Sequence, residues 1–523
     1  MIHFVPAWYN PERPWYSTDS VWFRTTTTTK SNDTVTQVRV FRQGSEDVRL
    51  VVLNYSPTLR RFLHRHGIED VPYWSFFDEV QGLADDYTRP LDFLDLEWPE
   101  DVSFFYNPFL VTVMRGDDVY ARVHLAQEGT LQSVRYYGDG MPMLERVYDD
   151  RGNLSSVLMN DAEGRPATQY YYSRTGDVVV SEDIASGRVD VVQNEGRFRQ
   201  DSYDGWEPLM AELLGASLRR AGTAADTVVL SLAPQHNALV GSVLTDQSLV
   251  LSRTANRPAD APAELVARAG AVFTDVGQSD RDRSELPAEE WLFLPTLSVY
   301  PLERRASFGA SANEATVTIT LFVDDLPLED LDMAIALMAG QLVGDDHTRL
   351  LVGTFRSQDL DFLSEVRGVI AGYQSIDLSF LGDDDLASLA VDVGVAEQPE
   401  EKIQLVFLDR EAEMMHTLAR SRVLVDLGRP VNYRLATEAV NAGVPQINRY
   451  EQPLVTHPLN GYVIEDVTGL PGALDHYLSG LEHWNQSLVQ CRVLQDLFRA
   501  HEVLGRWELV KEGMADAGPA DRA

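Results

Sequence analysis

The sequence has one cysteine, Cys491, and three lysines, Lys30, Lys402 and Lys511, among 523 residues. A single thiol excludes an intramolecular disulfide and a cysteine-based zinc site, and it suits a reducing compartment. No apolar run approaches the roughly 18 residues that a membrane span needs. The start, "MIHFVPAWYNPERPW", lacks a basic stretch followed by a long apolar one, so no signal peptide is expected. Basic residues are scarce as a class, 44 against 80 acidic, for a formal net charge of −36. Such a surface repels phosphate backbones and anionic lipid, which argues against nucleic acid and direct bilayer binding. A basic partner fits it; so does plain solubility, or a coding bias that favours arginine over lysine. The expected location is the cytoplasm.

Several catalytic signatures are missing too. There is no G-x-S-x-G, no G-x-x-x-x-G-K-[ST], no G-x-G-x-x-G and no H-E-x-x-H. "HEVLG" at His501 begins like the last of these, but Gly505 stands where the second histidine belongs. His64 and His66 sit two apart on an expected helix, so they diverge by about 200° and cannot share a metal. The acidic runs Asp330–Asp332 and Asp383–Asp385 read as solvated loops or helix starts. No metal site and no cofactor is expected.

What is present divides into three regions. Residues 1–95 alternate strand-like and helical stretches: "MIHFVPAW", "TVTQVRVFR" and "VRLVVLNY" read as strands, and "SPTLRRFLHRHGIED" as a helix capped by Ser56. Residues 96–195 contain glycine turns at 116, 129, 140, 152, 164, 176 and 187, with short alternating runs between them. Turns at that even spacing predict an antiparallel β-meander, whose exposed face is a surface for docking. Residues 196–305 return to strand–helix alternation, with "TVVLSLAP", "QSLVLSRT", "GAVFTDV" and "WLFLPTL" as strands and "WEPLMAELLGASLRRAG" as a helix. After a linker near 300–314, residues 312–510 repeat the pattern, ending in a long helix from Gly472 toward Arg499. The expected fold is α/β: a pair of Rossmann-type domains with the meander inserted in the first.

Two places attract a ligand reading. The first strand leads into Trp8, Tyr9, Trp15, Tyr16 and Trp22, which either stack on sugar faces at the sheet's C-terminal edge or pin a long loop. No glycine precedes Gly44, so no backbone there approaches an anion closely. The second is "NYRLATEAVNAGVPQIN", a strand–helix–strand turn of the form E-A-x-x-x-G-V-P. It is either an ordinary αβ unit or the donor seat of a retaining glycosyltransferase of GT-B type, which it resembles. By that resemblance Glu438 would hold the donor ribose, and Gly443 and Pro445 would let the next strand pass close by. The family pairs the glutamate with another eight positions earlier, where this chain has Pro430. It also grips the diphosphate with an arginine and a lysine after the first strand of the second domain. Here that stretch is "LFVDDLPLEDLDM", with Asp324 and Asp325 at the strand end. Carboxylates repel a diphosphate that cations should neutralise.

A closer likeness runs through "FVPAWY", "RRFLHR", "FDEVQ", "DLEWPED", "FFYNPFLVTVMR" and "YDDRGNLSSV" in the first 160 residues. On these the chain resembles the first accessory Sec protein family of Gram-positive bacteria. The resemblance implies a GT-B-like fold with an extended β-sheet insertion, no catalytic residues, and a place at the inner face of the membrane through partners. It implies as partners two other accessory Sec proteins, a SecA-type motor and the serine-rich repeat adhesin precursor, with adhesin glycans as a further ligand. The acidic, lysine-poor surface and the "TTTTTK" run at Thr25–Lys30 depart from that pattern. The expected function is non-enzymatic delivery of the glycosylated adhesin. The alternatives are an active GT-B glycosyltransferase modifying that adhesin, and a sugar-binding module with no export role.

Overall fold

The computed structural model describes residues 1–10, 13–16, 32–83, 91–107, 109–126, 128–221, 226–254, 257–258, 260–274, 294, 296–343, 347–357, 359–377, 402–428, 431–449 and 452–516. Trp22, Pro430, the threonine run and Asp383–Asp385 lie outside them, as does most of "WLFLPTL".

One seven-stranded parallel sheet runs in the order Thr296–Ser298, Ala269–Thr274, Ser248–Arg253, Thr227–Ser231, Ile2–Val5, Val48–Val52, Tyr73–Ser75. A six-stranded parallel sheet follows the order Ile403–Phe407, Thr348–Thr354, Val317–Phe322, Ser421–Asp426, Gln446–Asn448, Gly461–Val463. Helices cover both faces, which is why runs such as "VRLVV", "TVVLS" and "SLVLSR" are apolar at successive positions rather than alternating. In each sheet the strand order reverses at one place. These switch points lie between Ile2–Val5 and Thr227–Ser231, and between Val317–Phe322 and Ser421–Asp426. Open α/β sheets receive ligands beyond the strand C-termini at such points.

Between the third and fourth strands of the first sheet, in chain order, lies a ten-stranded antiparallel sheet. Its strands pair strictly in sequence from Val102–Tyr106 to Ser202–Tyr203. The evenly spaced glycines from Gly116 to Gly187 all turn with positive φ, which is what their spacing predicts. The meander is fastened to its host by buried polar contacts. Tyr55 donates to Ser155 and Ser156 at 2.8 and 3.0 Å. The buried Arg151 reaches Asp78 at 2.6 Å and Asp149 at 2.8 Å. Tyr55, Phe77, Tyr171 and Trp206 interlock edge to face, with centroids 4.8–5.4 Å apart.

The chain's last helix, Ala500–Asp516, returns to the first sheet. Fully buried Trp507 packs 5.0 Å from Phe41 and 6.4 Å from Phe273. The first sheet therefore shares a continuous apolar core with Tyr433, Ala436 and Val440 of the second region.

Three local expectations change. "TVTQVRVFR" is not a strand but part of the helix Asp33–Gln43. The Asn32 side chain accepts from Val35 N at 3.1 Å, and Val35, Val38 and Phe41 recur at helical spacing into the core. That periodicity overrides the β-branched composition. The next helix spans Leu59–Arg65, starting at Thr58 rather than Ser56. The long helix expected from Gly472 toward Arg499 is two, Leu470–Leu478 and Glu482–Leu497, and a third, Ala500–Asp516, follows them. The first break contains Gly480. At the second, Phe498 O accepts from Leu302 N at 2.8 Å, and Leu302 bridges to Arg499, drawing the backbone out of helical pairing.

Candidate functional site

At the switch point of the second sheet, the strand Val317–Phe322 gives way to Val323, Asp324 and Asp325, and the neighbouring strand ends at Asp426. Asp324 accepts from the Thr354 hydroxyl and from Phe355 N at 3.0 Å. Asp426 accepts from Asn432 N at 2.7 Å and Gly428 N at 3.1 Å. Burial pushes the Asp426 carboxyl up to about 7; Asp325 and Asp324 add repulsion, and the two backbone donors pull against both. Burial also raises Asp324 and Asp325, each opposed by the Arg356 guanidinium. Arg356 itself lies over the Phe362 ring at 4.5 Å. The crevice thus gathers three carboxylates, with Arg356 as a nearby cation.

The turn carrying Glu438, Gly443 and Pro445 is the helix Tyr433–Ala442 followed by the strand Gln446–Asn448. Asn432 caps the helix by accepting from Leu435 N at 3.1 Å, and Gly443 ends it at φ +75°. The linker between the two parallel sheets occupies this seat. Arg305 grips Glu438 with both terminal nitrogens, Nη2 to Oε1 at 3.1 Å and Nη1 to Oε2. Glu303 N donates to Asn441 Oδ1 at 2.8 Å, and Gly309 N to Ala442 O at 2.8 Å. A Cβ on Gly443 would stand 2.7 Å from Leu488 and 3.0 Å from Phe308, so the glycine admits the linker and the helix Glu482–Leu497. Pro445 O accepts from Leu424 N at 3.0 Å. Burial raises Glu438, and Arg305 holds it down only in part. Glu438 and Arg305 also line a cleft between the two α/β sheets, together with Asn32, Arg39, Arg434 and Asn441.

The first sheet's switch point is filled by the protein's own side chains. Asp33 accepts from Arg257 at 2.7 Å, Ser252 at 2.7 Å and Ser231 at 3.0 Å. Burial opposes its charge, but Arg257 and the hydroxyls outweigh that and hold it below the usual carboxylate value. His236 donates from Nε2 to Ser231 O at 2.7 Å, and its Nδ1 accepts from the Tyr9 hydroxyl. Burial keeps this imidazole neutral by lowering it to about 4. Tyr9 meets Trp15 edge to face at 5.3 Å, and Trp15 donates to Glu207 at 2.9 Å. Trp8 packs separately, against Phe62 at 4.7 Å. The structure therefore brings Tyr9 and Trp15 together, sets Trp8 apart from them, places Glu438 and Gly443 against the linker, and leaves Pro445 paired with the neighbouring strand.

The match that decides kinship covers nearly the whole chain: the family model for accessory Sec system protein 1 matches residues 1–513. The chain belongs to this family. A relative of the same description from Staphylococcus aureus (strain NCTC 8325 / PS 47) is 26% identical over 99% of this chain and 100% of its own length. Among solved structures, the chain is similar to one in the crystal structure of accessory secretory proteins 1, 2 and 3 of Streptococcus pneumoniae. That likeness has a TM-score of 0.78 at 26% identity, covering 99% of this chain and 100% of that one. It also shares a fold with the pneumococcal O-GlcNAc transferase GtfA, solved in complex with UDP and GlcNAc. There the TM-score is 0.68 at 13% identity, over 98% and 99% of the two chains. The expected pair of Rossmann-type domains with an inserted meander is this GT-B architecture.

Within that architecture, three groups central to the crevices gave little sequence signal. Asp426 stands within an apolar run, Arg305 within the linker, and Asp33 just before a run read as a strand. Only the "ND" before a helical apolar period could have located Asp33, as a helix start.

Proposed function

We propose that this member of the family is a non-enzymatic component of an accessory Sec system. It works by binding companion accessory Sec proteins and helps deliver a glycosylated serine-rich repeat adhesin to a SecA-type motor. Adhesin glycans are a further ligand class. The observation that carries the non-enzymatic reading is the condition of the donor seat. The glutamate to which the resemblance would assign a ribose is held bidentately by Arg305, and the charge of Asp324, Asp325 and Asp426 at the second sheet's switch point would oppose a diphosphate. The likeness to a chain solved together with two companions supports the binding role. The candidate cleft residues Glu438, Gly443 and Pro445, and the aromatics Trp8, Tyr9 and Trp15, act in this reading mainly as packing and clamping groups.

Calorimetric titration with UDP-N-acetylglucosamine and UDP-glucose, with and without magnesium, tests the enzymatic half. No binding heat at millimolar ligand is the expected result. Saturable micromolar binding with sugar release would return the chain to the transferases. The binding half is tested by co-expression with the two companion proteins and with the motor, where a stable complex on gel filtration is expected.

Among the described residues no helix is long and apolar enough to cross a membrane. Attachment to the membrane's inner face through partners is part of the proposal.

A further inference from the structure

The ten-stranded meander has two edges of unlike character. One is the two-residue strand Ser202–Tyr203, followed at once by the helix Trp206–Ala221, which packs on it. The other is Val102–Tyr106, which among the described residues pairs on one side only. Asn107 N donates to Leu110 O at 3.1 Å, so the hairpin starts on a hydrogen-bonded pair. The register then continues through Phe105↔Thr112 and Ser103↔Met114. Antiparallel alternation leaves the N–H and C=O groups of Val102, Phe104 and Tyr106 pointing off the sheet. The strand reads "VSFFY": it has no charge, no proline and no register shift against its neighbour. Those are the devices by which edges ordinarily resist pairing. Phe105 is 59% exposed, Tyr106 66% and nearby Phe109 51%.

The surroundings specify what can pair there. Between residues 91 and 120 stand seven carboxylate side chains and one basic residue, Arg115. Arg115 is taken by Asp101 at 2.7 Å. A second copy of this chain would bring the same acidic rim to the same edge and meet like charge. We propose that Val102–Tyr106 is a docking edge for an extended strand of a basic partner polypeptide. The partner's backbone pairs with Val102, Phe104 and Tyr106, apolar side chains cover Phe105 and Tyr106, and lysine or arginine side chains face the acidic rim. Main-chain pairing supplies the affinity and the alternate side chains supply the selectivity. The identification of that partner as one of the accessory Sec companions rests on the function proposed above.

Hydrogen exchange on the full chain tests the edge directly, alone, with a short peptide alternating lysine with valine, and with the co-expressed companions. The expected result is slowed exchange at Val102, Phe104 and Tyr106 with the peptide, weakening as salt rises. Tyr106→Pro removes only an outward N–H, so it leaves the pairing with Val111–Arg115 intact, yet should weaken peptide and companion binding by about tenfold or more. Phe105→Ser keeps every backbone group and should weaken binding less. Protection of these amides by the companions, lost in Tyr106→Pro, supports the full proposal. Companions that bind while these amides stay unprotected, and bind Tyr106→Pro as tightly as wild type, overturn the edge and leave the export function standing. Peptide protection without any companion complex supports the edge and sinks the export function. Salt-insensitive pairing, or dimers of this chain that Tyr106→Pro dissolves, overturns the basic partner.

Discussion

Arg305→Ala is the substitution that most directly separates a clamped donor seat from an available one. Arg305 and Glu438 are mostly buried, with side chains 18% and 11% exposed, and their contact is bidentate. Removing one partner of such a pair leaves a buried carboxylate without its counter-charge, a change that costs about 3 kcal/mol. The low end of the usual range applies because Arg305 also meets the exposed Glu303, at 3.2 Å, and part of its charge faces water. The sign of the pH dependence follows from Glu438. Burial already raises its folded-state value above the unfolded one, and losing Arg305 raises it further. A group raised in this way contributes stability that is fully present below its unfolded value and fades as pH rises through the folded one. The deficit of Arg305→Ala is therefore smallest near pH 4.5 and grows toward neutrality, at most about 1.4 kcal/mol per pH unit.

Thermal melting followed by near-ultraviolet circular dichroism reads this out. Near neutral pH the loss should be about 6 °C, taking about 2 °C per kcal/mol for a domain of this size. Arg305→Ala with Glu438→Gln should recover most of the loss, because the uncompensated charge is gone. If the double variant melts as low as the single one, the pair is not what the arginine contributes. If the single variant melts like wild type at neutral pH, the clamp is not structural and the seat is open to a ligand.

Two further perturbations probe the frame around the site. Trp507→Ala removes a fully buried indole from between Phe41 and Phe273. It should cost about 3–5 kcal/mol and expose the last helix to limited proteolysis; an unchanged melting curve would contradict the shared core. Asp426, raised to about 7, favours the folded state at low pH, and this contribution fades as pH rises from about 4 to about 7. Asp426→Asn should lose about 1 kcal/mol through one poorly matched backbone donor. It should also flatten that part of the stability–pH curve, and a difference curve with no slope would count against a buried, proton-holding carboxyl.

Much of the architecture is readable from residue pattern, because its signals are dense and local. Glycines recurring every 11 to 13 residues can hardly serve anything but a meander. The apolar runs of the two parallel sheets leave few alternatives once helical stretches lie between them. The misread helix Asp33–Gln43 shows where local pattern fails: its valines and threonines suit a strand, and only the spacing of Val35, Val38 and Phe41 says otherwise. The acidic crevice at the second switch point is half legible. Asp324 and Asp325 stand together in the chain, but Asp426 joins them only through parallel pairing of Phe322 with Asp426, about a hundred residues on. Arg305 is the harder case. Nothing in "YPLERRASFGASAN" indicates which of its arginines turns inward, since that depends on the path of a linker between two domains.

That path bears on function as well as on folding. A transferase of this architecture must admit a nucleotide sugar between its domains and release the product, so its cleft must open and close. Here the linker is tied into the second domain at three successive points, Glu303 to Asn441, Arg305 to Glu438 and Gly309 to Ala442. The last helix then returns across the junction and buries Trp507 in the first sheet. Each tie uses the helix that would otherwise present the donor seat. Prying the linker off this helix would break a buried ion pair, several kcal/mol against a total stability of about 5–15 kcal/mol for a typical protein. On the function proposed above, the chain binds companions rather than turning over a donor, and needs no such opening. The same strand–helix–strand turn can then serve as a clamp, with the inserted meander left to carry the contacts.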